Sequence, residues 1–499
     1  MAAPARSLGV IGGALAAALG LALLAVRLVD SDRDGAWEVF ATPVDCDDTD
    51  PDVHPGAREL PLNGRDEDCD GADSIRGSNV VLLTIDTLRA RNLGAYGYER
   101  DTSPGIDALA RSGTLFLDAF APSPWTLPSL GSLLTSTDAR RHRAMIVRND
   151  AGKRGVTAMR KDVTVLGDVL RADGYETAVF FESAYPLDQI GVTRGFQQVE
   201  QYPSRRMDQI GEWIAERRDR KFFLWLHFLK PHVPYRPSPQ FDRRFVPESW
   251  KSHEDLTPYW EPEECHARYT DPSQDVARLR LGFYDASIRD SDLRITEALA
   301  ALADAELTDR TLVVLTSDHG EEFFEHGGCD HGMTLFDEVL HVPLVFQHPL
   351  GVTAGRRISG QARLIDVAPT ILELLELTPP ESFVGRSLVP QLRGEPRDLP
   401  VFSGFLASGA SDVSLRMDGF KYLHSPEHHR DALYDLREDP REQENLVASS
   451  HHPRLREFRE LTRAWLAEGG AAPAPVVPLD DETLERLEAL GYRVDAPDP

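Results

Sequence analysis

With 499 residues, 41% of them apolar and 27% charged, the chain has the make-up of a globular protein able to bury one large α/β domain plus smaller additions. A formal net charge of −27 argues against a nucleic-acid partner, because phosphate neutralisation needs Lys and Arg. Much of that charge is local, since residues 30–73 carry fifteen Asp or Glu against three Arg.

Near the N-terminus, Leu8–Val26 (LGVIGGALAAALGLALLAV) is uncharged and apolar, and Arg6 precedes it. The stretch is close to the ~20 residues of a membrane span and exceeds the ~7–15 of a signal-peptide core. No small-x-small cleavage site follows, because Arg27 and Leu28 come directly after. An uncleaved signal anchor over residues 1–28 is therefore expected, with a removed signal peptide as the alternative. Either one sends the rest of the chain out of the cytoplasm, to a periplasmic or extracellular position at the cell membrane, or into secretion if cleavage occurs.

Residues 29–76 form an acidic, cysteine-bearing segment. DSDRDG sets Asp30, Asp32 and Asp34 at alternate positions before Gly35, the opening of a calcium loop, although Ala41 stands where an EF-hand has its closing Glu. DCDDTDPDVHPGARE and NGRDEDCDG follow, with Asp47, Asp68 and Asp70 beside Cys46 and Cys69. The segment resembles the Asp/Cys-rich calcium-binding repeats of secreted bacterial proteins, in which DCDD leads to E-x-x-CNG-x-D-x-DCDG. Leu62 stands where that pattern has a Cys. The resemblance implies structural Ca²⁺ on Asp30, Asp32, Asp34, Asp47, Asp68 and Asp70. A Cys46–Cys69 bridge fits an oxidising compartment, and a solvated acidic spacer is the competing reading. Cys265 and Cys329 lack metal-type spacing, and no bond between them is expected.

From Asn79 strand-like and helix-like segments alternate, which predicts a mostly parallel, doubly wound sheet with helices on both faces. The strand candidates are VVLLTI, ETAVFF, KFFLWLHF, TLVVLTS and VPLVFQ. The helix candidates are SPGIDALARSG, VTVLGDVLRADG, MDQIGEWIAERRD, residues 275–304 and DVAPTILELLE. This domain is expected to span 77–395. Short alternating segments then predict a small α+β subdomain over 396–470 that closes with a helix from Pro453 to Ala467. A Pro/Ala hinge and a short tail helix fill 471–499.

Two strands of the main domain end on a carboxylate: VVLLTID at Asp86, and TLVVLTSDHG at Asp318 with His319 next to it. An unpaired buried Asp does not continue a core, and in open α/β sheets ligands sit at the carboxyl ends of strands. Between them PWTLPSLGSLLTS puts Thr126 just before a helix that Pro128 would open. A divalent cation held by Asp86, Asp318 and His319, with Thr126 as a further ligand, would lower the hydroxyl's pKa and aim it at a bound ester. Oxygen-rich ligation with one imidazole suits Ca²⁺, Mg²⁺ or Mn²⁺ better than Zn²⁺. The helix start offers free N–H groups to an anionic sulfuryl or phosphoryl group. Structural readings compete: Thr126 as a plain N-cap, Asp86 as a strand-end cap, His232 as a loop residue among prolines, and His326 on the surface.

Across 79–439, IDTLRARNLGAYGY, WTLPSLGSLLTS, HFLKPHVPY, SDHGEEFFEHGGCDHGMTLFDEVLHVPLV, GRSLVPQLRGE and LYDLREDPREQENL occur in one order. Together they resemble the sulfatase branch of the alkaline-phosphatase superfamily. The resemblance implies Asp86, Asp318 and His319 as metal ligands, Thr126 as nucleophile, and His232 and His331 on the substrate side. His331 occupies the position of a substrate-contacting Lys, and either histidine could protonate the leaving group. The pattern also departs from the family. Thr126 replaces the Cys that becomes formylglycine, Leu130 replaces the following Arg, and Thr87 replaces the second Asp of the first metal pair. No formylglycine can form. The expected function is a metal-dependent hydrolase of sulfate, phosphate or phosphonate esters on a small molecule, glycan or lipid. The alternatives are a transferase of phosphoglycerol or phosphoethanolamine groups at the cell envelope and a degenerate, surface-anchored binding protein.

Overall fold

A computed structural model describes residues 45–47, 49–55, 57, 65–69, 75–148, 154–182, 187–201, 207–241, 243–251, 274–348, 352–404, 411–448, 452–468, 476–477, 485 and 487. The chain forms two compact units, Met1–Arg76 and Gly77–Pro499. The apolar stretch Leu8–Val26 and the acidic positions Asp30, Asp32, Asp34 and Asp70 lie outside the described residues. Among the described residues no helix is long and apolar enough to cross a membrane.

In the first unit Cys46 and Cys69 form a disulfide, so the substitution at Leu62 does not prevent that pairing. Asp47 turns towards its own turn, with Oδ1 accepting from the Thr49 hydroxyl at 2.6 Å, and Asp50 pairs with Arg65 at 2.5 Å. Among the described residues neither Asp47 nor Asp68 belongs to a cluster of three ligand-type side chains.

The second unit is built on a nine-stranded sheet. Its strands are β1 (Asn79–Ile85), β2 (Thr114–Phe120), β3 (Glu176–Phe181), β4 (Gln198–Gln201), β5 (Phe222–Phe228), β6 (Thr311–Ser317), β7 (His341–Gln347), β8 (Arg356–Ile358) and β9 (Ala362–Arg363). They lie in the order β8-β2-β7-β6-β1-β5-β3-β4, with β9 also pairing with β2. Only β7 runs antiparallel to its neighbours, so the sheet is mostly parallel, as the alternation of segments predicts. Every residue of β1, β5 and β6 is buried, which is why these strands read as unbroken apolar runs rather than alternating ones. Helices α1 (Pro104–Ser112), α2 (Thr126–Thr135), α3 (Leu166–Ala172), α4 (Met207–Ala215), α5 (Gln274–Asp304) and α6 (Val367–Leu374) belong to the same unit. β2 escapes the sequence reading, because Asp118 interrupts TLFLDAF at a half-buried position.

Four antiparallel strands, β10 (Val401–Gly404), β11 (Val413–Met417), β12 (Phe420–Ser425) and β13 (Arg430–Asp435), make the smaller sheet, and α7 (Pro453–Ala467) packs on β11 and β12. Buried charges tie this sheet to the larger one. Lys421 on β12 lies 2.7 Å from Asp337 Oδ1 and 2.7 Å from Glu442 Oε1, and Glu442 Oε2 accepts from the Asp337 main-chain N–H at 2.7 Å. Val476–Val477, in the segment read as a hinge, instead pairs with Val156 and Thr157. Cys329 is disulfide-bonded, although no bond was expected there; spacing along the chain carries no signal of a pairing made in three dimensions. Its partner lies outside the described residues.

Candidate active site

β1 and β6 are neighbours in the sheet, in register from Asn79 opposite Thr311 to Ile85 opposite Ser317. Their next residues, Asp86 and Asp318, therefore emerge side by side at the carboxyl edge, and His319 follows. The ligand-type atoms of Asp86, Asp318 and His319 all lie within 4.8 Å of one another, and all three residues are buried. Gly320 makes this path possible: a Cβ there would sit 2.2 Å from the Glu338 carbonyl oxygen. With that clearance the chain pairs along Glu338–Val339, through Gly320 N–H to Val339 O at 2.7 Å and Glu321 N–H to Glu338 O at 3.0 Å.

Thr126 is the first residue of α2, not the residue ahead of a helix opened by Pro128. Trp125 holds the cap position and makes no side-chain capping bond, so the N-cap explanation of Thr126 fails. Its Oγ1 lies 3.5 Å from Asp86 Oδ2 and 3.3 Å from His319 Nε2. The Ser129 hydroxyl, one turn on, donates to the Asp318 carbonyl at 2.5 Å. This bond fixes the start of α2 over the end of β6. A helix start is where an anion is favoured by the dipole and the opening N–H groups.

His232 and His331 complete the cluster. The His331 ring stands 4.5 Å from the His319 ring and 4.7 Å from the His232 ring, centre to centre. His331 Nδ1 is 2.8 Å from Glu321 Oε1, and His232 Nδ1 bonds the Val233 carbonyl. Thus Asp86, Thr126, His232, Asp318, His319 and His331 are all brought together.

Burial sets the electrostatics. It pushes Asp86 well above the ordinary carboxylate range, helped by the charges of Asp318 and Glu321, and it pushes Asp318 up to about 7. It also holds His319 and His232 well below the usual imidazole range, with His331 adding to both effects. For His331, burial pulls down, but the carboxylates of Glu321, Asp330 and Asp318 together more than offset it and the group ends above its usual value.

The donor set fits a divalent cation. Asp86 Oδ1 and Asp318 Oδ2 are buried and accept no hydrogen bond among the described residues, yet each lies 3.5 Å from His319 Nε2. His319 Nδ1 lies 2.9 Å from the Gly320 carbonyl, which can only accept, so in the neutral ring Nε2 is a bare lone pair. Two carboxylate oxygens and an imidazole lone pair turned on one another repel unless a positive ion lies between them.

Further residues frame the cluster. Thr87, in the position of a family Asp, has φ of +59°, donates its N–H to Asp318 Oδ1 at 3.2 Å, and buries a hydroxyl with no hydrogen-bond partner among the described residues. His227 Nε2, also without one, is 3.9 Å from Asp86 Oδ2, while Nδ1 meets the Thr84 hydroxyl at 2.9 Å. Arg89 is buried and pairs with Glu325 at 2.5 Å. Glu322, His326 and Glu338 form a second cluster of ligand type, but the carboxylates and ring nitrogens there are already engaged. Glu322 accepts from Gly328 N–H and Thr334, and His326 meets Glu338 through Nδ1 and the Glu442 carbonyl through Nε2 at 3.0 Å. His326 also stacks on Phe336 at 3.5 Å, so its role there is structural.

Three family profiles match the chain: Sulfatase over residues 78–377, N-sulphoglucosamine sulphohydrolase, C-terminal, over 324–463, and the Cu-binding MopE metal-binding motif over 45–74. Arylsulfatase K of Gallus gallus is 26% identical over 439 residues, covering 74% of this chain and 79% of its own length. The Delta 4,5-hexuronate-2-O-sulfatase of Bacteroides thetaiotaomicron is 24% identical over 434 residues, covering 76% and 86%. The crystal structure of the phosphonate monoester hydrolase of Agrobacterium radiobacter superposes with a TM-score of 0.63 at 23% identity, over 79% of this chain and 96% of that one.

Proposed function

This chain belongs to the sulfatase family and is a hydrolase of sulfate or phosphate esters, and from that premise we propose that Thr126 is its nucleophile and that Asp86, Asp318 and His319 hold a divalent cation. The observation that carries the reading is the pair of bondless carboxylate oxygens, Asp86 Oδ1 and Asp318 Oδ2, turned on His319 Nε2 beside the Thr126 hydroxyl. A cation such as Ca²⁺, Mg²⁺ or Mn²⁺ bound there supplies charge withdrawal from the hydroxyl and from the ester oxygens.

The chain's own residues do the rest. Thr126 Oγ1 bonds to the sulfur or phosphorus as the ester bond to the leaving oxygen breaks, and its hydrogen is directed at Asp86 Oδ2. His331 gives a proton to the leaving oxygen, with His232 alongside to contact the ester. The N–H groups opening α2 hold the anionic oxygens. Water then attacks the covalent intermediate and frees Thr126. A phosphorylated threonine can be resolved in this way, whereas a sulfated one lacks the second hydroxyl through which formylglycine expels sulfate. Chemistry therefore favours phosphate or phosphonate esters over sulfate esters.

The apolar stretch Leu8–Val26 favours a second reading, in which an acceptor alcohol at a membrane surface replaces water and the enzyme transfers the group. It also supports a site outside the cytoplasm. The DSDRDG and DCDD segments support calcium in the first unit. Loss of the family Arg at Leu130 would suit a degenerate binding protein, but the unsatisfied carboxylates weigh against a scaffold. The test is turnover of aryl sulfates, phosphate mono- and diesters and phosphonate monoesters by wild type and Thr126→Ala. One class should be hydrolysed and lost in the variant; unchanged activity there would remove Thr126 from the nucleophile role.

A further inference from the structure

Glu321 is fully buried and lies two residues after His319, on the segment that Gly320 lets run against Glu338. Burying a carboxylate costs several kcal/mol unless a partner compensates it. Its partner is His331 Nδ1 at 2.8 Å, and the His331 side chain is itself 3% exposed. The His331 ring is wedged between the rings of His319 and His232, at 4.5 and 4.7 Å. Around this pair Arg280 lies 2.9 Å from Asp330, and the Tyr235 hydroxyl donates to the same Asp330 at 3.3 Å. These contacts anchor the turn that carries His331.

We infer that Glu321 is a positioning residue for proton delivery: by holding Nδ1–H of His331 it fixes the ring so that Nε2, on the opposite edge, meets the leaving oxygen of the ester. The inference rests on the proposed Thr126 reaction and specifies how its acid is aimed. In the step it serves, the bond from sulfur or phosphorus to the leaving oxygen breaks, and that oxygen keeps the electron pair. It takes the proton from His331 Nε2, while Nδ1–H stays on the ring against Glu321. A lysine, whose ammonium presents three equivalent hydrogens, needs no such partner. An imidazole in the same position does, because its two nitrogens face opposite ways.

Proton delivery matters more as the leaving group becomes more basic, and this separates aiming from simple structural support. Wild type, Glu321→Gln, Glu321→Leu, His331→Ala and the Glu321→Gln/His331→Ala double variant are compared, metal-loaded, on phenyl and 4-nitrophenyl phosphates, methylphosphonates and sulfates. Glu321→Gln should lose about 10–100-fold on the phenyl ester of the class turned over, with a smaller loss on the 4-nitrophenyl ester. Glu321→Leu, which offers Nδ1–H no acceptor, should lose more on the phenyl ester than Glu321→Gln does, and Glu321→Gln should add no further loss to His331→Ala. Equal losses on both esters, or additive losses in the double variant, would overturn the inference even where turnover depends on Thr126. Turnover that survives Thr126→Ala would overturn the nucleophile reading and this inference with it.

Discussion

The Ser129 hydroxyl donates to the main-chain carbonyl of Asp318 across 2.5 Å, joining the helix that begins at Thr126 to the strand end that carries Asp318 and His319. One neutral bond of this kind contributes only about 1 kcal/mol to stability. Its geometric effect is larger, because a misplacement of about 1 Å at a reacting atom costs up to ~100-fold in rate. Ser129→Ala should therefore lower kcat roughly 10-fold or more while the melting temperature moves little. A melting temperature that falls with unchanged kcat would show that the bond serves folding rather than alignment.

Asp86 and Asp318 are two carboxylates in one buried space, each raised by burial. Without a cation their repulsion is a standing cost to the fold. Chelation should lower the melting temperature, since whatever binds only the native state stabilises it. Asp318→Asn keeps an oxygen for the N–H groups of Thr87 and His319 but removes one charge. In EDTA this variant should be more stable than wild type by on the order of 1–2 kcal/mol, while binding no stoichiometric cation and turning over no ester. Chemical denaturation in EDTA that finds the variant weaker would count against the crowding of charge.

At Gly320 there is no room for a methyl group, with the Glu338 carbonyl oxygen 2.2 Å from where its carbon would stand. Gly320→Ala should cost roughly 3 kcal/mol by forcing the two backbones apart, and it should reduce metal affinity because His319 and Glu321 move with it. Urea unfolding and a metal titration measure the two effects together, and a variant as stable as wild type would contradict the contact.

His142 supports α2 from beneath. Its Nδ1 accepts from Ala144 N–H at 3.0 Å, its Nε2 lies 3.2 Å from the Pro128 carbonyl, and burial holds the ring down at about 4. The folded value lies below the unfolded value near 6.5. The contribution is thus whole above about pH 6.5 and is lost as pH falls towards about 4, reaching on the order of 3 kcal/mol. His142→Gln, which carries no titrating group, should show a shallower decline of unfolding free energy between pH 7 and 4.5. Parallel curves for variant and wild type would remove His142 from the acid response.

The metal-type cluster was legible because each half of it breaks a rule locally: an apolar run that ends on Asp86 or Asp318 has no reason to carry a charge unless something receives it. Thr126 was legible through its neighbours, yet α2 starts two residues before Pro128, because Trp125 rather than Thr126 takes the cap position. β2 was missed where Asp118 broke the alternation. Glu321 lies in a run of acidic residues that reads as solvated charge, and His227 lies inside a buried strand; only the pairing of β1 with β5 brings His227 to Asp86. In the smaller sheet, β10 and β12 were visible as short alternating segments. β11 and β13 were not: VSLRM is only five residues long, and RDALYD opens on two charges.

The ammonium of Lys421, sealed between Asp337 and Glu442, fastens the C-terminal sheet to the segment that leads into β7. Trimming the chain at residue 395 would strand Asp337 beside apolar surface with no counter-charge, and would take away the Glu442 carbonyl on which His326 leans. The turn between His326 and His331 would then have lost its outer brace. Any shortened version of this enzyme has to keep β12 and the loop bearing Glu442, however remote they look from Thr126 along the sequence.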